Sequence, residues 1–484
     1  MARNLQKRIL SFLLSFFVFN CSAQFFPAKN YPVDYFEYPV VATKGLAANF
    51  GELRPNHYHM GLDCRTDQGQ NKKILAAADG YIAKVKIEPW GFGIADTVAP
   101  DIVRLAVYDR NLSTYEQTPK LIPVKKAKGI YGTTPALIIV KTNRVSFGIS
   151  ATDRVTGSSN RNGIYEAILY NDDKPITGFQ IDNISYDETR YLNAHIDYKI
   201  RSRGGPFIEH LSALPGYTNS IYKSTNDDGV IDLADDSIHN IKIEVKDVNG
   251  NVSTVLFSLR RDTNYVETAK TSQSSLRQPN EFHPGFINIY ENDNISFYLP
   301  EKSLYDSFRF QYGETIPKQG NTVYQLHNTS VPVQGYFPIS IKAQTALPGK
   351  MVMHRFANGK HDYAKAEAVM NGKEPGWYKA SFREFCSFEL MTDTVPPAIT
   401  PIGFKNGMNC SKQSRIVFVV KDNTEEIKKF TALLDGNWLR FSNDKGSRFI
   451  YDFDEMCPAG EHELKIVAED QVGNVAEKVY KFTR

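Results

Sequence analysis

His59 and Asp63, four residues apart with Gly61 between them, are the side chains in this sequence best suited to chemistry. Imidazole and carboxylate are both zinc donors. Pro55 upstream and Gly61 between the pair argue against a helix, and the surrounding pattern reads as strand and turn. A turn at Gly61 would bring the ends of two adjacent strands to one metal. His57 alternates with His59 on a strand and could face the same side, but neighbouring strand side chains rarely converge so closely. Cys64, next to Asp63, falls on the opposite face and reads as core. A hydrolytic zinc needs three protein ligands and an open position for water. His59 and Asp63 supply two, so weak zinc binding is expected and no catalytic residue can be assigned. The plainer alternative is two polar residues satisfying one another in a β turn.

The residues that follow carry a resemblance. Gly69 precedes Ile74-Leu-Ala-Ala-Ala-Asp-Gly80-Tyr-Ile82, then Trp90-Gly-Phe-Gly93. With Gly51-Glu-Leu-Arg54 and His59-x-x-x-Asp63, this stretch of about 40–93 resembles the lysostaphin-like zinc endopeptidases that cut peptidoglycan peptide bridges. The resemblance implies that His59 and Asp63 ligate zinc and that the strand Ala77 to Ile82 packs beneath the site. It also implies a later His-x-His, whose second histidine is the third ligand and whose first assists water activation. Neither is present: His195, His210, His239, His283, His327, His354, His361 and His462 form no such pair. The pattern breaks off between Gly93 and Ile94. A partner subunit, a decayed peptidase or an internal deletion would each account for that junction.

Two distant segments open alike, Asp96-Thr-Val-Ala-Pro100-Asp-Ile102 and Asp393-Thr-Val-Pro-Pro397-Ala-Ile399. Two others close alike, His239-Asn-Ile-Lys-Ile-Glu-Val-Lys-Asp247-Val-Asn-Gly250-Asn251 and His462-Glu-Leu-Lys-Ile-Val-Ala-Glu-Asp470-Gln-Val-Gly473-Asn474. Apolar and polar residues alternate up to each aspartate, and alternation resumes after the Gly-Asn, which predicts a final β-hairpin. These units resemble bacterial immunoglobulin-like modules. The Asp-x-x-Gly-Asn hairpins could be read as calcium sites, but too few carboxylates surround them and turn chemistry is preferred.

The expected fold is mainly β: a partial lysostaphin-like antiparallel β domain (24–93), an immunoglobulin-like β-sandwich (94–262) with insertions around Lys199 to Asp236, a β domain of unknown type (263–391) opening on a polar linker, and a second immunoglobulin-like sandwich (392–484). The 26 Tyr and 30 Phe among 484 residues favour strands. Residues 1–23 read as a secretory signal cleaved after Ala23, with Arg3, Lys7 and Arg8 before an apolar run too short to span a membrane. A lipidated Cys21 is disfavoured by Phe19 and Asn20, where small residues are required. Periplasmic or extracellular location follows, with no transmembrane segment in the mature chain. Cys410 and Cys457 could pair in an oxidising compartment or remain buried thiols. A net charge of +3 without a basic block excludes nucleic acid as the expected partner. Peptidoglycan peptides or other envelope components remain. The two functional expectations are an exported zinc endopeptidase, incomplete as written, and a non-catalytic envelope binding protein built from sandwich modules.

Overall fold

A computed structural model of the chain describes residues 24–27, 36–41, 45–66, 73–75, 95–217, 220–225, 228–262, 280–369, 376–443 and 446–484. The expected signal segment, the strand Ala77 to Ile82, the Gly91-Phe-Gly93 stretch and nearly all of the linker lie outside them. The described chain is mainly β, arranged as successive sheets with separate cores.

In the first sandwich, Asp101–Asp109 pairs with Arg144–Thr152, and His239–Lys246 lies between Glu166–Asn171 and Val252–Arg261. Lys120–Ala127 joins the two sides: its first half pairs with Asp101–Asp109 and its second with Ile130–Val140. Val252–Arg261 returns parallel to Ile130–Val140. Period-two alternation determines which residues enter. Ile241, Ile243 and Val245 are buried while Asn240 is exposed and Lys242 and Glu244 are half-buried.

The middle module stacks two five-stranded sheets on a phenylalanine-rich core containing Phe297, Phe308, Phe337, Phe385 and Phe388. In the last module, four- and five-stranded sheets enclose Phe418, Leu464 and Ile466. Its Cys410 and Cys457 are both buried as free thiols. Of the two alternatives open in the sequence, burial as small apolar residues is the one this structure adopts.

Both closing hairpins form as expected. Lys246 pairs with Val252 and Glu469 with Val475, and Gly250 and Gly473 adopt φ of +87° and +79° at the turns. The similarity between the two sandwiches extends further than their sequences suggested. Asp172 and Asp435, at φ of 49° and 51° in the preceding turns, accept hydrogen bonds from the backbone N–H of Asn240 and Glu463. Their other oxygens meet Nδ1 of His239 and His462 at 3.0 and 2.7 Å.

The insertion in the first sandwich begins earlier than expected, just after Lys174–Gln180, and runs to Ile231–Asp232. It includes a 3-10 turn Tyr186–Tyr191 and the short helices Leu192–His195 and Tyr198–Ser202. Its polar core centres on a chain of hydrogen bonds through His195. His195 Nε2 lies 2.9 Å from Glu209 Oε2, His195 Nδ1 lies 2.8 Å from the Tyr222 hydroxyl, and that hydroxyl donates to His210 O at 2.7 Å. Because Tyr222 spends its only proton on His210, His195 Nδ1–H must donate to the Tyr222 oxygen. With burial keeping the imidazole neutral, Nε2 is the acceptor and Glu209 the protonated donor. Burial acts in the same direction on both groups, raising Glu209 to about 8 and lowering His195 to about 3.

The insertion also joins the first sandwich to the middle module. Arg190 Nε donates to Val333 O at 3.0 Å, and outside the insertion Thr114 N–H and Oγ1 both donate to Asp306 Oδ2. Gly216 sits so close to Leu304 that a Cβ there would meet its carbonyl oxygen at 2.0 Å.

The buried pair has a pH signature. Glu209 folded binds a proton that it releases unfolded between its ordinary value near 4.3 and about 8, so its contribution to stability is lost as pH rises through that window. His195 opposes this between about 3 and 6.5, where the unfolded chain binds the extra proton and stability rises with pH. The two cancel near pH 5–6, and above 6.5 only the Glu209 loss remains. Denaturant unfolding of Glu209→Gln should therefore lack a decline of up to about 1.4 kcal/mol per pH unit between pH 6.5 and 8 seen in the wild type. Parallel pH profiles for the two proteins would show that Glu209 is not protonated in the fold.

Candidate metal centre

The candidate ligands sit on a small hairpin held between the first sandwich and its insertion. Leu53 and Tyr58 form a bridge across it, Gly51 N–H donates to His59 O and His59 N–H to Glu52 O, both at 2.8 Å. Pro55 and Asn56 form the tip. Two features fix the hairpin to the sandwich. Tyr58 is fully buried in the first sandwich core, with its ring 5.9 Å from that of His195. Gly51 adopts φ +77°, and a Cβ there would lie 2.1 Å from Ile181 Cγ2. Asp63 lies on Asp63–Cys64, which pairs with Leu46–Ala48.

His59 and Asp63 are brought together. Asn49 O accepts from His59 Nδ1–H at 2.8 Å, which fixes the tautomer and leaves Nε2 facing Asp63 Oδ1 at 3.4 Å. Two donors about 2.0–2.1 Å from a tetrahedral zinc would be separated by roughly this distance. The pair therefore fits two corners of a zinc site. The remainder does not fit a catalytic one. All ten histidines lie within the described residues, and none joins His59 and Asp63 in a group of three ligands. His57 turns to Asn56 Oδ1 at 2.9 Å and lines a separate groove. Arg54 Nη2 lies 3.4 Å from Asp63 Oδ2, so a fixed cation already faces the second carboxylate oxygen. His354 and His361 do meet, at 2.9 Å, but within the middle module's sheet beside Glu389. Cys64 packs against Tyr38, with its thiol pushed up by burial. No hydrolytic step can be derived from two ligands.

The groove lined by His57 has a volume of about 370 Å³ and is bounded by Asn56, Tyr186, Asp187, Thr189, Arg190 and Arg383. Hairpin, insertion and middle module all contribute to it. Burial lowers the His57 pKa, as do the neighbouring Arg54 and His59, so the imidazole is neutral near pH 7 and the positive charge of the groove comes from its arginines.

Around the closing hairpins the structure corrects an expectation. Too few carboxylates flank Asp247 and Asp470 in sequence, yet the fold supplies two more to each. Asp96, Asp153 and Asp247 come together in the first sandwich, and Asp393, Asp422 and Asp470 in the last. Residues 96 and 393 are in the opening segments, and 153 and 422 follow immediately after the strands Arg144–Thr152 and Arg415–Lys421. Only the pairing of those strands with the opening strands produces the convergence.

Residues 281–393 match the Zu5-like domain family, which covers the middle module and under a quarter of the chain. No curated protein matches. Among solved structures, the endo-beta-1,4-mannanase from Thermotoga petrophila is 20% identical over 19% of this chain, with a TM-score of 0.17, and the match spans only 20% of the mannanase. Fibronectin(III)-like modules of Clostridium thermocellum CbhA are 9% identical, covering 75% of this chain and 93% of theirs, TM-score 0.15. SGBP-B of the Bacteroides ovatus mixed-linkage glucan utilization locus, solved with a heptasaccharide, is 11% identical over 74% and 67%, TM-score 0.13. At these identities and TM-scores, none bears on what this chain binds or catalyses.

Two measurements address the hairpin. Tyr58→Ala should destabilise the first sandwich by about 3–5 kcal/mol in denaturant unfolding, as expected for an aromatic side chain removed from a core. Zinc competition against a chromophoric chelator should show weak binding that His59→Ala abolishes and Arg54→Ala strengthens several-fold. Zinc affinity unchanged in His59→Ala would exclude the pair as ligands.

Proposed function

We propose that this is an exported, non-catalytic envelope protein in which a hairpin of lysostaphin-like ancestry has become part of a β-sandwich scaffold that binds cell-wall peptides. The observation that carries the reading is the combination at the hairpin itself: Tyr58 is buried as core, while His59 and Asp63 stand without a third ligand among the described residues and with Arg54 on the second carboxylate oxygen. The hairpin contributes packing rather than turnover. The groove shared by hairpin, insertion and middle module is the binding surface, and its mixed lining of Arg190 and Arg383, each partly engaged with backbone carbonyls, and Asp187 suits peptides that carry both free carboxylates and amines. The apolar run at the amino terminus supports export, and no helix among the described residues is long and apolar enough to cross a membrane.

A second reading has one observation in its favour. His59 is oriented by Asn49 O as a zinc-ligating histidine would be, with Nε2 at ligand-pair distance from Asp63. On that reading the chain is half of a zinc endopeptidase whose missing histidines come from another polypeptide.

Cosedimentation with insoluble peptidoglycan separates the two. The purified chain should bind without reducing turbidity, His59→Ala should bind equally well, and His57→Ala in the groove should bind several-fold more weakly. Clearing of the suspension that disappears in His59→Ala would replace the binding reading with the peptidase one.

A further inference from the structure

The two carboxylate clusters occupy the same place in both sandwiches, and turn chemistry satisfies only part of each. In the first, Asn251 N–H and Nδ2 donate to the two oxygens of Asp247 at 2.8 and 2.6 Å, and Nδ2 also reaches Asp96 O at 3.2 Å. In the last, Asn474 makes the same three bonds to Asp470 and Asp393 O at 2.8, 2.6 and 3.2 Å. These bonds account for one carboxylate in each cluster. One oxygen of Asp96 collects Val98 N–H together with the N–H and hydroxyl of Thr156, and one oxygen of Asp393 collects Val395 N–H and Asn423 Nδ2.

What remains is uncompensated. Asp153 is 6% exposed and Asp393 1%, yet Asp153 Oδ1 and Asp393 Oδ2 are buried without any hydrogen-bond partner. Asp422 Oδ1 is likewise unpartnered, although its other oxygen accepts from the N–H and hydroxyl of Thr424. None of the six aspartates forms an ion pair among the described residues. A second, independent group points to the first cluster: Asn162, 3% exposed, is paired to Asp153 through both backbone groups, at 2.8 and 3.0 Å, but its side-chain Oδ1 has no partner. Asn162, Asp96 and Asp153 line one cavity of about 30 Å³, large enough for a water-sized guest. Two buried carboxylates and a half-buried one gathered with no counter-charge are costly unless a cation joins them.

We propose that each sandwich holds a calcium ion, bound by Asp96, Asp153 and Asp247 in the first and by Asp393, Asp422 and Asp470 in the last. All donors are oxygens, which selects a hard cation over zinc. One ligand atom from each aspartate lies within 4.8 Å of the others, the span of oxygens on opposite sides of an ion bound at about 2.3–2.6 Å. In the first site Asn162 Oδ1 supplies a neutral oxygen. Each ion ties three separate segments together: the start of the module, the end of the strand paired with its opening strand, and the closing hairpin. Asp393 directly follows Ser387–Thr392 of the middle module, and its N–H donates to Lys350 O. Calcium there also stiffens the junction between the middle and last modules.

Calcium titration of the metal-stripped full chain by calorimetry, with thermal unfolding in parallel, tests the assignment. Two sites per chain are expected, with a rise of about 5–10 °C in Tm of the sandwich transitions at roughly a hundredfold excess over Kd. Asp153→Asn and Asp422→Asn should each remove one site, and the double variant both. Without calcium these variants should be at least as stable as the wild type, because each relieves carboxylate repulsion, so loss of binding is distinguishable from misfolding. Absence of binding heat and Tm shift with millimolar calcium overturns the proposal, as do sites that persist in the double variant.

Discussion

Each sandwich is closed by an aspartate–asparagine clasp, and the arrangement of the other elements depends on it. Asp247 and Asp470 end the penultimate strands, Asn251 and Asn474 begin the return, and the asparagine amides reach across to the carbonyls of Asp96 and Asp393. One side chain therefore shapes a tight turn and anchors the module's opening segment against its last hairpin. The opening strands Asp101–Asp109 and Ala398–Ile402 then pair with Arg144–Thr152 and Arg415–Lys421. The turn needs a residue tolerant of positive φ at Gly250 and Gly473, and the clasp needs an amide nitrogen with two hydrogens, one for the aspartate and one for the remote carbonyl. Asp-x-x-Gly-Asn meets both needs within five residues, which accounts for its appearance in both modules.

With the sandwich edges closed, the first module can accommodate two additions. The insertion brings a polar interior in which His195, Glu209 and Tyr222 distribute their protons so that no net charge is buried. The hairpin carrying His59 inserts Tyr58 between this insertion and the sandwich core. The insertion then meets the middle module through Arg190 and the close approach at Gly216, and the sandwich meets it through Thr114 and Asp306. The hairpin is consequently part of the packing of a sandwich through Tyr58, with Asp63 exposed at its margin. Its ligand geometry is preserved by one backbone carbonyl, Asn49 O, while its vacant carboxylate position faces Arg54.

The mainly β character, the two closing hairpins and the modular order were legible because strand alternation and Gly-Asn turns are local: Ile241, Ile243 and Val245 declare their buried face within five residues. The pairing of His59 with Asp63 was legible for the same reason, since four residues and a bend suffice to bring the side chains together. The likeness of the middle module to Zu5-like domains left no short motif to find, because its core is a distributed set of phenylalanines rather than a spaced signature.

Convergence between distant segments was decided only in three dimensions. Asp153 and Asp422 sit in unremarkable contexts, Ala-Thr-Asp-Arg and Val-Lys-Asp-Asn, and nothing nearby marks them as partners of Asp96, Asp247, Asp393 or Asp470. The burial of Tyr58 and the direction of His57 away from the pair likewise depend on what the insertion places beside them. Sequence by itself determined the strands, the turns and the adjacency of His59 to Asp63, because those follow from periodicity and chain reach over a few residues. The assembly of carboxylates and the separation of His57 from His59 required the tertiary structure, because strand order and sheet crossing, not spacing along the chain, determine which remote side chains share a site.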